Sequence, residues 1–345
     1  MSLKNMTLEE LEEVEEQLHE KEQEEELTYS LYPQKIRIYE EMLRKMVQEQ
    51  DMTYYDYVEK RLVLHLVHYG TYLKMQYEKS DEAALQCLKR ALKYDKYNPI
   101  ASYRIGFLLY RRGEYKEAMV RFERAIANQK SYQNREYQLS ERQLANAHLY
   151  LANSALHLAK QTYEQMEQLS FDQHQALPNY ELSPIYESLA DNDRYLKENA
   201  FYQITPEGTA TCSKEACEEL ITHEPADTLV LYFGDRQITL TFNETSLALT
   251  QEQGDILRYV LVKSREGLPA SRMTLQTIFS HSIAEGITKE NFRKKFSRLR
   301  GKLEEYGIPD IIETASHMGE TAYRFNGSLP YVVMYRVDEE SGYIL

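Results

Sequence analysis

The stretch NPIASYRIGFLLYRRGEYKEAMVRFERAIANQ, residues 98–129, decides how the first half of the chain folds. Its apolar residues recur at intervals of three and four, a spacing typical of amphipathic helices. Gly113, near its middle, supplies a turn between two such helices. Gly106 and Ala118 are small residues on either side of this turn, which lets two helices cross with their backbones close together. The stretch therefore predicts a pair of packed helices.

A related unit lies immediately before this one in the chain. Small and large apolar residues recur in one register 34 residues apart, and self-similarity at a fixed period is the signature of repeat architectures. The matched positions are Ala84, Leu88, Ala91 and Leu92 in the earlier unit and Ala118, Phe122, Ala125 and Ile126 in the later one. Because proline is nearly absent between residues 29 and 170, we expect this whole region to consist of helix pairs.

The unit at 98–129 resembles the tetratricopeptide repeat, with Ile105 and Gly106 at the Leu-Gly position of that family and Gly113 at its turn. The resemblance implies a repeat domain over residues 29–170, an α-solenoid whose stacked helix pairs form a groove. Such grooves bind a peptide, a protein segment or a second copy of the same chain. The residues implied in packing between the helices are Ala84, Leu88, Ala91, Gly106, Ala118, Phe122 and Ala125.

The neighbouring units match the repeat less closely. In residues 65–97, Tyr72 stands where the glycine is expected and Lys79 replaces the turn residue. A third match, around residues 152–159, keeps the spacing but has no turn signal, so one long helix is the alternative.

Three further segments lie around the predicted domains. Residues 1–28 carry eleven Glu and two Lys, and like charges at this density favour a frayed solvated helix or a disordered tail. Residues 171–226 are rich in turn formers and are expected to form a connecting region with one or two helices. Residues 331–345 are expected to be a C-terminal tail that adds an edge strand, binds a partner or hangs free.

Residues 227–330 have a mixed α and β pattern. The β-rich runs TLVLYF (228–233) and QITLTF (237–242) predict a hairpin, which is followed by three helical segments and a second hairpin closed by HMGE (317–320). We expect the helices at about residues 250–263, 270–279 and 288–305, and the strands of the second hairpin at about 310–314 and 321–325.

The third of these helices contains NFRKKFSRLRGKL, residues 291–303. Seven Lys and Arg lie between residues 289 and 302, although the chain as a whole has 55 acidic and 41 basic residues. Thr288 is a suitable N-cap. At 100° per residue, one narrow stripe is apolar and consists of Phe292, Phe296, Leu299 and Leu303. Opposite it lie Lys294, Ser297, Arg298 and Gly301, with Arg293 and Arg300 along one edge and Lys295 and Lys302 along the other.

A helix that is half apolar and half cationic can enter the major groove of DNA. Arg and Lys donate to guanine, Ser bonds to either base type, and flanking cations meet phosphates. The net charge of −14 limits such a contact to a local site. Two alternatives remain: the cations bind the acidic segment 1–28 of the same chain, or they bind an acidic partner protein.

The phrase FSRLRGKLEEYG (296–307) and the following IIETASHMGETAYRF (311–325) resemble the winged-helix DNA-binding domain of OmpR/PhoB-type transcription regulators. The opening LTQEQGDIL (249–257) is similar too, whereas Ala322 stands where the wing of the family has a glycine. By position, the resemblance implies that Lys294 and Arg298 face bases and that Lys295, Ser297 and Arg300 lie near phosphate or base. It also implies that Thr314 begins the wing, that His317 stands in for the wing arginine, and that Tyr323 is the wing tyrosine that contacts the DNA backbone. Arg293 joins this set as a cation on the edge of the helix.

These resemblances imply a bacterial, cytoplasmic transcription regulator that binds double-stranded DNA, takes a peptide or protein in its repeat domain and forms a homodimer. The alternative is a scaffold or adaptor whose winged helix contacts protein. We expect no enzyme and no cofactor, because the chain has no Gly-rich phosphate loop and no motif of a hydrolase.

We also expect no metal site and no membrane span. Cys212 and Cys217 have no second ligand pair at zinc-binding spacing. No apolar run approaches the roughly 18 residues that cross a bilayer, and no signal peptide pattern opens the sequence.

Overall fold

The computed structural model describes residues 3–24, 28–75, 81–134, 137–167, 184–234, 237–275 and 288–339. The chain is mainly helical, and its C-terminal part combines a mixed sheet with helices.

In its described residues, the first part of the chain contains eight α-helices. They are α1 (Leu8–Glu24), α2 (Thr28–Glu49), α3 (Tyr55–Met75), α4 (Asp81–Tyr94), α5 (Pro99–Arg111), α6 (Tyr115–Gln129), α7 (Glu141–Glu167) and α8 (Pro184–Glu198). Each of these helices packs against the next one along the chain. Helix α5 begins after Asn98, whose side chain accepts a hydrogen bond from the Ala101 amide, and Pro99 occupies the first helical position. Helix α7 is continuous, so the alternative of one long helix holds for the third unit.

The helix crossings of the two matched units are built in the same way. A Cβ atom on Gly106 would lie 2.9 Å from the Phe122 ring, and one on Gly70 would lie 2.9 Å from Leu88 Cγ. Gly70, rather than Tyr72, therefore provides the close approach in the earlier unit. The glycine precedes its large partner by 18 residues there and by 16 in the later unit, because the connection between the helices is longer. Lys79 lies outside the described residues.

The matched small and large residues lie in the core of the helical part. The positions Ala84, Leu88, Ala91, Ala118, Phe122 and Ala125 are all fully buried. Phe122 also stacks on Tyr150 of α7, with ring centroids 5.1 Å apart. The repeat of 34 residues therefore reflects the packing of α4 and α6 against their neighbours.

Helix α1 differs from the solvated or disordered segment expected for residues 1–28. It packs on α2, and both Leu11 and Leu18 are buried in the common core. Glu15 accepts a hydrogen bond of 2.6 Å from the Tyr39 hydroxyl. A few apolar residues at helical spacing are enough to bury one face of an otherwise acidic helix.

The C-terminal part contains a six-stranded sheet with the order β2-β1-β9-β3-β4-β5. Its pairs are antiparallel except β3 and β9, which run parallel. The strands are β1 (Phe201–Thr205), β2 (Gly208–Cys212), β3 (Leu229–Phe233), β4 (Ile238–Phe242), β5 (Thr245–Leu249) and β9 (Tyr331–Arg336). A smaller sheet, with the order β6-β8-β7, contains β6 (Ala270–Ser271), β7 (Ile312–His317) and β8 (Glu320–Phe325). The α-helices among the described residues of this part are α9 (Lys214–Thr222), α10 (Gln251–Lys263) and α11 (Lys289–Glu305).

Several elements of this part differ from the sequence-based expectations. Residues 331–336, expected in a tail, form the strand between β1 and β3, and five of the six are buried. Such a continuous apolar run is typical of a strand covered on both faces. The expected connecting region contains α8, β1, β2 and α9. Ala270 and Ser271, expected in a helix, pair instead with β8, and residues 276–279 of that expected helix lie outside the described residues.

Strand β9 also joins the sheet to the helical part. The Arg336 guanidinium lies between the rings of Phe107 and Phe201, 5.4 Å from each centroid, and its Nε donates to Asp338 Oδ1 at 2.9 Å. The Gln143 side chain on α7 donates to the Val337 carbonyl oxygen at 3.2 Å. The two parts of the chain are thus held together by a buried hydrogen bond as well as by the contacts of Arg336 with the two aromatic rings.

Candidate nucleic-acid interface

Helix α11 docks on the C-terminal core by one face only. Thr288 Oγ1 accepts a hydrogen bond of 3.2 Å from the Asn291 amide, which confirms the predicted N-cap. The predicted apolar stripe is confirmed as well, because none of its residues is more than 3% exposed: Phe292, Phe296, Leu299 and Leu303. The opposite side of the helix faces solvent.

The exposed side of α11 presents cations and small side chains. Arg293, Lys294, Ser297 and Arg298 are all exposed. Gly301 lies in the same region of the helix, and a Cβ atom added to it would meet nothing within 4 Å. A partner could therefore approach the helix backbone closely at this point.

Lys295 lies on the buried side of this surface, contrary to the expectation that it contacts DNA. Its side chain is 8% exposed, and its Nζ lies 2.6 Å from Oε1 of Glu252, in the first turn of α10. Lys302, on the same edge, donates to Gln253 Oε1 at 3.0 Å. This edge of α11 therefore holds the helix against α10.

Two other cations of α11 form ion pairs near the surface. Lys294 Nζ lies 2.9 Å from Glu290 Oε1, one helical turn away, and Arg300 pairs with Asp310. The hydrogen bond from Lys294 lowers the pKa of Glu290. Exposed pairs of this kind contribute little to stability, because water and salt screen the two charges, so Lys294 and Arg300 can change partner readily.

Tyr323 belongs to the core rather than to the exposed surface. It is 8% exposed, and its ring stacks on Phe296 with centroids 4.0 Å apart. Its neighbour Ala322 is fully buried and pairs with Ser271 on one side and Ala315 on the other. The tyrosine therefore fixes the β7-β8 hairpin against α11, which differs from the backbone contact that the resemblance implied.

The β7-β8 hairpin carries the remaining predicted residues. Met318 and Gly319 form its two-residue turn with φ of 50° and 79°, so the backbone there has the left-handed conformation typical of tight hairpins. Thr314 is exposed on β7, and His317 is half-buried opposite Glu320 in the last pair before the turn. Arg293 donates to Thr321 Oγ1 at 3.0 Å, which links α11 to the hairpin.

A small pocket of about 90 Å³ lies between the start of α11 and the hairpin turn. Of the described residues, Arg272, Lys289 and Arg293 line it together with one carboxylate, that of Glu320. Arg272 lies 3.1 Å and Lys289 lies 3.9 Å from Glu320 Oε1. This described lining has an excess of positive charge, which suits a phosphate group. Arg272 was not predicted, because it follows β6 in a stretch that was expected to be helical.

A second pocket, of about 370 Å³, lies in the helical part of the chain. Its lining includes three tyrosines, two carboxylates and one ammonium group: Tyr94, Tyr132, Tyr137, Glu59, Asp95 and Lys60. Tyr132 donates to the Asp95 carboxylate. Burial raises the pKa of Glu59, and the nearby carboxylates of Asp56 and Asp95 raise it further. Among the described lining residues the two carboxylates outnumber the single ammonium group, and this charge together with the aromatic rings favours a cationic group.

Comparisons of the chain with known protein families, with curated proteins and with solved structures found no match. Of the helices in the described ranges, none combines the length and apolar character needed to cross a membrane. Within those same ranges, three or more His, Cys, Asp or Glu side chains are nowhere grouped so as to hold a metal ion.

Proposed function

We propose that the chain is a DNA-binding transcription regulator whose helix α11 reads a duplex with its exposed face. The observation that carries this proposal is the division of α11 into a fully buried apolar stripe and an exposed strip of Arg293, Lys294, Ser297 and Arg298. A helix held by one face turns the other toward solvent, where it can enter a groove about 12 Å wide.

The exposed side chains suit the two kinds of contact that a protein makes with DNA. Arg298 and Lys294 can donate to the N7 and O6 atoms of guanine, and Ser297 to either base type. Arg300 and the pocket of Arg272, Lys289 and Arg293 lie beside this strip and suit phosphate contacts. Lys295, buried against Glu252, has no part in either contact.

The arrangement around α11 supports a winged-helix domain of the OmpR/PhoB type. Helix α10, strand β6, helix α11 and the β7-β8 hairpin follow one another, and β6 pairs with β8 beside the hairpin. Tyr323 packs the hairpin onto α11, so hairpin and helix form one surface. In this proposal the hairpin turn, with exposed Met318, approaches the neighbouring backbone of the duplex.

For the helical part we propose a tetratricopeptide-like module that binds a basic peptide or protein segment. The pocket beside Tyr132 and Glu59 supports this, because a Lys or Arg side chain is attracted both by carboxylates and by the faces of aromatic rings. The contact of Arg336 with Phe107 provides a physical connection between this module and the sheet. We propose that a bound ligand changes how α11 is presented to DNA across this connection.

The DNA proposal is tested by selecting sequences from a random duplex pool with the full chain and then measuring affinity as salt rises. Specific binding should weaken steeply between about 50 and 200 mM salt, because bound phosphates release counterions. The double variant Lys294→Ala/Arg298→Ala should lose sequence preference, with about 1–3 kcal/mol lost for each base contact. Lys89→Ala/Lys116→Ala removes the same charge from exposed positions of the helical part and should leave binding unchanged. Equal binding by both double variants contradicts the proposal.

The peptide proposal is tested separately by panning a displayed peptide library on the full chain. The recovered peptides should be basic, and either Glu59→Gln or Tyr132→Ala should weaken their binding to the chain. Tyr97→Ala, which alters a tyrosine that is 60% exposed in the same part of the chain, should not.

The alternative is an adaptor in which α11 contacts an acidic protein. The observation that favours it is the pairing of several α11 cations with carboxylates, which shows that this helix accepts acidic side chains. An adaptor would retain no duplex from the random pool at 50 mM salt, so the same selection distinguishes the two functions.

A further inference from the structure

Two cysteines lie side by side where strand β2 leads into helix α9. Cys212 is the last residue of β2, and Cys217 lies in the first turns of α9. Their sulfur atoms are 3.3 Å apart. Ser213 caps the helix between them and accepts a hydrogen bond of 3.1 Å from the Ala216 amide, which fixes the turn that brings the two thiols together.

The two thiols have different surroundings. Cys217 is fully buried in a small cluster with Phe201, Val230 and Met334. Cys212 is half-buried and reachable from solvent. The third cysteine of the chain, Cys87, is buried on helix α4 in the helical part.

These surroundings assign different chemistry to the two sulfur atoms. The hydrogen bond between the two sulfur atoms lowers the pKa of Cys212 and raises the pKa of Cys217. The nearby carboxylates of Glu218 and Glu215 raise the pKa of Cys217 further. The thiolate is the nucleophile in sulfur chemistry, and the start of a helix stabilises negative charge. Cys212 is therefore suited to attack an oxidant, and Cys217 to attack the product.

We propose that Cys212 and Cys217 form a reversible disulfide on reaction with a peroxide, so that this turn is an oxidative modification site. The Cys212 thiolate attacks one oxygen of the peroxide, forms a sulfenic acid and releases the other oxygen as hydroxide, which takes up a proton. The Cys217 sulfur then attacks the Cys212 sulfur, and the sulfenic oxygen leaves as water with the Cys217 proton. Two thiols and one hydrogen peroxide thus give one disulfide and two water molecules.

The geometry requires only a local movement for this step. A disulfide bond is about 2.05 Å long, so the sulfur atoms must approach by about 1.3 Å. The bond closes a loop of a few residues, for which the entropic stabilisation is small. The disulfide is therefore readily reduced, and its effect is to tie the edge strand β2 to α9. This inference is independent of the proposed DNA and peptide binding.

The experiment treats the reduced full chain with equimolar hydrogen peroxide and follows intact mass, free thiols and a non-reducing peptide map. We expect the loss of two hydrogen atoms, a cross-linked peptide pair containing Cys212 and Cys217, and full recovery with a dithiol reductant. Cys87→Ser should give the same product at the same rate. Cys217→Ser should stop at the sulfenic acid, which a dimedone-type reagent traps, or form a dimer through Cys212.

Two results overturn the inference. One is a wild-type chain whose peptide map shows Cys87 oxidised first. The other is oxidation of Cys212 beyond the sulfenic acid while Cys217 remains a free thiol. Both are read from the wild-type chain, so they decide the matter even if Cys217→Ser fails to fold.

Discussion

Lys295 and Glu252 form an ion pair that fixes helix α11 to the first turn of helix α10. Nζ and Oε1 are 2.6 Å apart, and the two side chains are only 8% and 13% exposed. Lys295, which the sequence places among the candidate DNA contacts, therefore stabilises the fold instead. The charged residues of α11 therefore fall into two groups: some hold the helix in place, as Lys295 does, and others face solvent.

Lys295→Met should destabilise the chain without a direct effect on DNA contacts. Removing one partner of a buried ion pair leaves the remaining charge less well compensated, and such a loss costs up to about 3–5 kcal/mol. The double variant Lys295→Met/Glu252→Gln should recover much of this loss, since it removes the buried carboxylate charge together with the ammonium group. Urea unfolding of the wild type, the two single variants and the double variant measures the coupling energy between Lys295 and Glu252. Additive losses in the double variant would show that the pair is not coupled.

Arg298→Ala should affect DNA binding rather than stability, in contrast to Lys295→Met. Its side chain lies on the exposed face, so its removal should change unfolding free energy by less than about 0.5 kcal/mol. Its effect on affinity for the selected duplex should be about 1–3 kcal/mol. A loss of stability comparable to that of Lys295→Met would place Arg298 in the fold instead.

Gly106→Ala and Gly301→Ala should change stability in opposite directions, although both glycines lie inside helices. A Cβ atom at Gly106 meets Phe122, which is held by its stack on Tyr150, so overpacking should cost about 1–3 kcal/mol. At Gly301 the space is open, so alanine should stabilise by about 0.5–1 kcal/mol through helix propensity. Thermal unfolding of the two variants provides the comparison. A stabilising Gly106→Ala would show that the crossing of α5 and α6 is loosely packed.

His157 should make the helical part less stable as pH falls below neutrality. Burial lowers the pKa of His157, and although Asp193 raises it, burial is the larger effect. The unfolded chain then takes up a proton near pH 6.5, before the folded chain does. Stability is therefore full above about pH 6.5 and falls as pH drops toward the lower folded pKa. His157→Phe keeps the ring that stacks on Tyr115 at 4.0 Å and removes the titration. Its melting temperature should fall less than that of the wild type between about pH 7 and pH 5, and equal decreases would refute this role.

Arg336→Ala should loosen both parts of the chain at once. The substitution removes contacts with Phe107 and Phe201 and leaves the buried Asp338 without this partner, at a cost of about 2–4 kcal/mol. Hydrogen exchange should increase in α5 as well as in β9. Arg324→Ala, which breaks an exposed pair with Glu313, should change exchange only near β7 and β8. If hydrogen exchange in Arg336→Ala increased only in β9, Arg336 would not connect the sheet to the helical part.

The docking of α11 follows from its sequence because the signal is local. Thr288 and the apolar stripe are read from residues within a few turns of one another, and the structure has both. The burial of Lys295 could not be predicted in this way. Its partner Glu252 lies 43 residues away, and a lysine on a cationic helix gives no sign that one carboxylate will cover it.

The sheet was harder to predict than the helices for a related reason. Strand β9 has an unbroken apolar run, so it shows no alternation, and its parallel partner β3 lies about a hundred residues earlier. The charge of helix α1 predicts a solvated segment, whereas a few residues such as Leu11 and Leu18 decide its packing. The 34-residue period places the glycine of the earlier unit at Tyr72. The glycine is instead Gly70, because the connection between α3 and α4 is two residues longer than that between α5 and α6.

The position of β9 also sets when the chain can complete its fold during synthesis. The helices of the first part pack mainly against sequence neighbours and can assemble as they leave the ribosome. The sheet cannot, because β1 and β3 are joined only by the late strand between them. Until residues 331–336 emerge, two half-sheets expose unpaired edges and the platform under α11 is unfinished. A ribosome that stalls shortly before this point would leave a folded helical module attached to an aggregation-prone nascent chain.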